Sequence, residues 1–155
     1  MQDDPGRSFQ SIARNELRNR IMALLIFAAL MAPASADTIL GKWKTETHNA
    51  IIEISRCGPS ICARILTSDM LRANPGMKDK NNANPALRNR PLLGLSMFSG
   101  FKPAADGVWA DGSVYNAEDG KTYSGKATPI GNDQLKLRGC VFFPLCKTQT
   151  WTRVR

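Results

Sequence analysis

The stretch "LGKWKTE", Leu40 to Glu46, sets the terms on which the rest of the chain is read. Trp43 stands between two lysines, the alternation of a strand with one face buried and the other in water. Gly41, two positions earlier, completes a G-x-W. The same alternation recurs outward from this point. "IIEIS" sets Ile52 and Ile54 on one face and Glu53 on the other, and "QLKLR" does so with Leu135 and Leu137. Turn punctuation separates such runs: Gly58-Pro59, Asp106-Gly107, Asp111-Gly112, Asp119-Gly120 and Gly131-Asn132-Asp133. Strands are expected near 38–46, 50–57, 61–67, 92–101, 107–116, 121–130, 133–140 and 147–154. Helical periodicity is sustained nowhere. About eight short strands with tight turns define an all-β domain, an antiparallel meander that closes as a barrel or folds as a sandwich.

One segment breaks the rhythm. Residues 68–91, "SDMLRANPGMKDKNNANPALRNRP", are rich in Asn and Pro. They read as a long crossover with one helical turn at Asp69 to Ala73, or as a lid over a barrel mouth.

Residues 1–36 read as a secretory signal peptide with a long N-terminal extension. "RNELRNR" supplies positive charge, "IMALLIFAALMAPASA" an apolar run, and Ala34-Ser35-Ala36 a cleavage point before Asp37. The apolar run from Ile21 is too short for a retained membrane span. The remainder, 37–155, is one domain of modest core, destined for the periplasm or secretion.

An oxidising compartment gives the four cysteines a purpose. Three pairings are possible. Cys57 with Cys62, across "CGPSIC", and Cys140 with Cys146, across "CVFFPLC", each suit a hairpin whose strands face one another. A site of four thiolates would require other spacings, and no metal is expected.

The residues after position 36 carry 17 Lys and Arg against 10 Asp and Glu. These cations are scattered singly along strands, which argues against nucleic acid as a partner and leaves weak contact with anionic envelope surfaces.

Taken in order, "GKWKTE", "EISRCGPSICARI", "NPALRNRPLLGLSMFSGF", "DGVWADGSVYNAEDGKTYSGK" and "LKLRGC" with "CKTQTWTRV" resemble the DUF2147 family of exported bacterial proteins. The match runs from Gly41 to Val154. The resemblance implies a small up-and-down antiparallel barrel, lipocalin-like, with an internal cavity. It also implies that Gly41 and Trp43 belong to the closed floor of that barrel, with Arg153 packed across the indole. The family's usual glycine after the second cysteine is Ala63 here.

Catalytic inventory is thin. His48 is the sole histidine, in a hairpin turn, and no G-x-S-x-G elbow or phosphate-binding glycine loop is present. Asp111, Glu118 and Asp119 are accounted for by turns. No catalytic residue, cofactor or metal ligand is assigned. Binding of one apolar or amphipathic molecule, fatty-acid-like, is the expected function. Phe98, Phe101, Trp109, Tyr115 and Tyr123 are candidate wall residues, with Arg88 and Arg90 candidates for an anionic head group at the rim. The alternative is an envelope interaction or structural module with a filled barrel and a basic outer surface.

Overall fold

A computed structural model describes residues 38–155. The expected signal peptide, 1–36, and its cleavage point lie outside the described residues. Among the described residues nine strands make one antiparallel sheet: β1 (Gly41–Lys44), β2 (Ile51–Cys57), β3 (Ser60–Thr67), β4 (Phe98–Ser99), β5 (Lys102–Pro103), β6 (Trp109–Asn116), β7 (Lys121–Ile130), β8 (Gln134–Phe142) and β9 (Leu145–Val154). Their order is β3-β2-β1-β9-β8-β7-β6-β4, with β5 also paired to β6. Each long strand thus pairs with its chain neighbour, and β1 pairs with β9 through Lys42–Val154, Trp43–Arg153 and Lys44–Thr152.

The circle is completed between β3 and the segment before β4. Ile65 donates to the Leu95 carbonyl (3.0 Å), Gly94 to that of Ile65 (2.8 Å) and Met97 to that of Ala63 (2.7 Å). This is the expected up-and-down barrel. One expected strand differs: of 92–101 only Phe98–Ser99 is regular. Left-handed glycines explain the difference, since Gly94 (φ 77°) and Gly100 (φ 67°) turn the chain where a strand would run straight.

Inward positions follow the alternation. The buried set includes Trp43, Ile52, Ile54, Ile61, Ala63, Phe98, Phe101, Trp109, Leu135 and Trp151. The rings of Phe98 and Phe101 are 4.8 Å apart, and Phe98 stacks on Trp151 at 6.0 Å. In β6 a register shift between Trp109 and Gly112 accommodates Asp111 at φ 56°. A Cβ on Gly112 would stand 2.3 Å from the Phe101 ring, so only glycine admits that ring to the core.

The floor is built around Gly41 and Trp43. Trp43 is fully buried and its Nε1 donates to the Ile39 carbonyl at 2.8 Å. Arg153 lies over the indole, 4.2 Å from guanidinium carbon to ring centroid. Its Nη1 donates to the Leu40 carbonyl at 2.9 Å, its Nη2 to that of Thr38 and its Nε to that of Asn132. Gly41 has φ 122°, and a Cβ there would meet Arg153 Nη1 at 2.9 Å. The glycine of G-x-W therefore admits the guanidinium that covers the tryptophan.

Both disulfides expected from the hairpins are present, Cys57–Cys62 and Cys140–Cys146. The first ties β2 to β3 across Gly58-Pro59, and the second ties β8 to β9 as opposed residues of the ladder.

Candidate functional site

Above the aromatic core the barrel is open. A cavity of about 900 Å³ occupies this end. Its base is Trp151, Leu137, Val114, Ile52 and Ile65, the topmost layer of the packed interior. The strand registers explain what rises from there. Trp151 opposes Leu135, Gln149 opposes Leu137, and Lys147 opposes Gly139. Since Trp151 is buried, period two places Gln149, Lys147 and Leu145 on the same inner face of β9, and all three line the cavity. Opposite Lys147 the wall has a glycine, Gly139. The absence of a side chain there helps to leave the volume empty.

The segment 68–97 forms much of the remaining wall. Helix α1 (Asp69–Ala73) begins at Ser68, whose side chain accepts from the Leu71 amide, and buries Leu71. Leu71, Met77, Leu92 and Met97 turn apolar side chains to the cavity. This segment is pinned by a buried carboxylate. Asp79 is 1% exposed. It accepts from Tyr115 Oη (2.6 Å), Asn82 Nδ2 (2.8 Å) and Arg90 Nε (2.8 Å). Burial raises the Asp79 carboxyl, but the three donors and the charge of Arg90 outweigh that and hold it below the ordinary carboxylate value. For Tyr115 the balance runs the other way, since burial and then the bond to Asp79 raise its hydroxyl.

The crossover also docks on the β6–β7 turn. Ala83 donates to the Gly120 carbonyl (3.2 Å), and Asn81 Nδ2 to that of Glu118 (2.8 Å). Gly120 has φ 69°, and a Cβ there would fall 1.7 Å from the Asn81 carbonyl oxygen. On the rim Glu118 reaches the β1–β2 turn, 3.3 Å from His48 Nε2.

Of the candidate residues, Tyr115 and Tyr123 line the cavity. Phe98, Phe101 and Trp109 lie in the packed layer instead, at 2%, 1% and 0% exposure. Arg88 and Arg90 are not brought to the cavity. Arg88 Nε donates to the Asn82 carbonyl (2.8 Å), while Arg90 pairs with Asp79 and stacks on Tyr115, 4.9 Å from its centroid. The cations that do line the cavity are Lys78, Lys80 and Lys147. Among the described residues Lys147 has no ion-pair partner. Counting alternate positions back from Trp151 is the sequence signal that finds it. Among the described residues no group of three or more His, Cys, Asp or Glu is placed to hold a metal.

An up-and-down barrel, closed at one end by an indole under a guanidinium and open at the other, is the architecture of a lipocalin. The family model described as an uncharacterized protein conserved in bacteria, DUF2147, matches residues 41–153, and the chain belongs to that family. A solved structure similar to it is protein HP1028 from the human pathogen Helicobacter pylori, described as belonging to the lipocalin family. That protein is 25% identical, with a TM-score of 0.68 over 76% of this chain and 83% of its own. No curated protein matches this chain. The fold suggests small-molecule binding in general, and the disulfides and bacterial family fit an exported protein. Among the described residues no helix is long and apolar enough to cross a membrane.

Proposed function

We propose that this protein is a non-enzymatic carrier, periplasmic or secreted, that holds one amphipathic molecule with an anionic head, of fatty-acid type. The observation that carries the reading is an apolar-based cavity of about 900 Å³ with Lys147 on its inner wall. Ligand pockets run to roughly 300–1,000 Å³, mostly apolar with a few polar groups that fix orientation. A chain lying between Trp151, Leu137, Met77 and Met97 gains about 0.8 kcal/mol per buried methylene. Lys147 supplies the charge at the upper end, the task expected of Arg88 and Arg90, each of which commits its Nε inside the crossover.

Native mass spectrometry of protein purified from the exporting cell tests the reading directly, with a bound species of lipid mass expected. Fluorescent fatty-acid uptake refines it. Lys147→Gln should weaken a carboxylate ligand about tenfold, as fits the loss of one partly screened charge-assisted contact, and leave the alcohol of equal chain length unaffected. Gly139→Leu, which projects into the void, should weaken uptake of both. Protein that is always empty and takes up neither would sink the carrier. The alternative, a solid barrel whose basic exterior does the work, is disfavoured by the open volume.

A further inference from the structure

The tip of the β8–β9 hairpin is five consecutive apolar residues, Val141-Phe142-Phe143-Pro144-Leu145. The four large ones other than proline are 61, 63, 81 and 60% exposed. The core does not use them, since the buried residues of these two strands stop at Leu137 and Trp151. A contiguous exposed run of this kind marks an interaction surface. The Cys140–Cys146 disulfide closes the neck of the hairpin immediately behind it, so the tip stands out as a narrow finger.

Cations lie just behind the finger. Lys126 and Arg138 are opposed residues of the β7–β8 ladder, and both are exposed. The Arg138 guanidinium lies 5.9 Å from the Phe143 ring. With Phe143 and Asp111 they line a shallow recess on the outer wall. Lys147 stands on the inner side of the same neck. Of the acids near this end, Glu118 pairs with His48 and Asp119 accepts from the Tyr123 hydroxyl, while Asp111 shares the recess with the two cations, leaving it a net positive charge. Apolar side chains outermost and positive charge one layer behind reproduce, in reverse, the layering of a bilayer with acidic head groups. A convex finger offers little area to a flat protein surface but enters a fluid interface readily.

We propose that the hairpin tip docks this protein on a bilayer bearing anionic phospholipids. Phe142, Phe143 and Leu145 enter the interface while Lys126 and Arg138 meet the phosphates. Val141, Leu145 and Lys147 also line the cavity, so docking turns its mouth toward the acyl chains. The proposal goes beyond ligand holding and does not depend on it, because vesicle binding can be measured on Gly139→Leu, whose cavity is obstructed beside Lys147.

Co-sedimentation with vesicles of phosphatidylcholine alone, and mixed equally with phosphatidylglycerol, is the test. The protein and its Gly139→Leu variant should bind the mixed vesicles at least about tenfold more tightly than the neutral ones, with binding falling as salt rises. Phe142→Ser/Phe143→Ser should lose about tenfold or more on mixed vesicles with its thermal midpoint unchanged, these side chains being exposed. Lys126→Gln/Arg138→Gln should lower the salt dependence. Phe143→Trp adds an exposed indole to three buried ones, so its emission should shift to the blue on mixed vesicles alone. Failure of the unaltered protein to bind mixed vesicles, equal binding by the doubly substituted tip, or retention on peptidoglycan without retention on vesicles would overturn the proposal.

Discussion

Gly41, Trp43 and Arg153 show how a three-letter motif acts through atoms far away in sequence. Removing the guanidinium uncovers an indole face and leaves the carbonyls of Thr38, Leu40 and Asn132 without that donor. Arg153→Met should lower unfolding free energy by about 2 kcal/mol in urea titration, with an unchanged m-value. Asp79 has a different signature. Its carboxyl sits below the ordinary value of 3.8 when folded, so its contribution is present in full above that value and is lost as pH falls through the lower, folded value. Asp79→Asn should therefore cost roughly 2–3 kcal/mol at neutral pH and flatten the stability profile below about pH 4, measured by denaturation across pH. The pairing of Trp43 with Arg153 was legible because family likeness and strand alternation point the same way. The pairing of Asp79 with Tyr115 was not, since neither residue carries a local sign of its partner. For the same reason Arg88 and Arg90 read as free rim charges while their acceptors stood elsewhere in the same crossover.

At the scale of the element, period two recovered the long strands, because each has one face in the core and one in water. It failed between Leu92 and Phe101, where Gly94 and Gly100 bend the chain and the backbone pairs without a regular ladder. It was also the rule that finds Lys147, once the buried Trp151 fixes which face of β9 is inside. The aromatic residues drew attention instead, and three of the five proved to be packing. The 68–91 crossover, open between lid and connection on sequence grounds, is a wall held by Asp79 beneath and the β6–β7 turn alongside. Gly120→Ala tests that attachment. A Cβ 1.7 Å from the Asn81 carbonyl forces turn and crossover apart and adds strain at positive φ. A loss of about 2 kcal/mol or more is expected, with faster trypsin cleavage after Lys78, Lys80 and Arg88 than in the unaltered chain. Substituting both Cys140 and Cys146 by serine should lower stability by about 2 kcal/mol through the freed hairpin loop, read as a lower thermal midpoint under non-reducing conditions.

Seen whole, the barrel divides into a packed half under Trp43, Trp109 and Trp151 and an open half under Lys147, and stability and binding are separable along that axis. Substitutions below Trp151 should alter unfolding first, whereas Lys147→Gln and Gly139→Leu should alter ligand uptake with little change in midpoint, a contrast that calorimetry and fluorescence measure side by side. Closure by β1 with β9 has one more consequence. The partner of residues 42–44 is residues 152–154, so the sheet cannot become a ring until strands more than a hundred residues apart in the chain have met. Until then two unpaired rims are exposed at once, each a template for a neighbouring chain. A chain of this design depends on chaperones or on speed, and one cut short before residue 152 is left a permanently sticky ribbon.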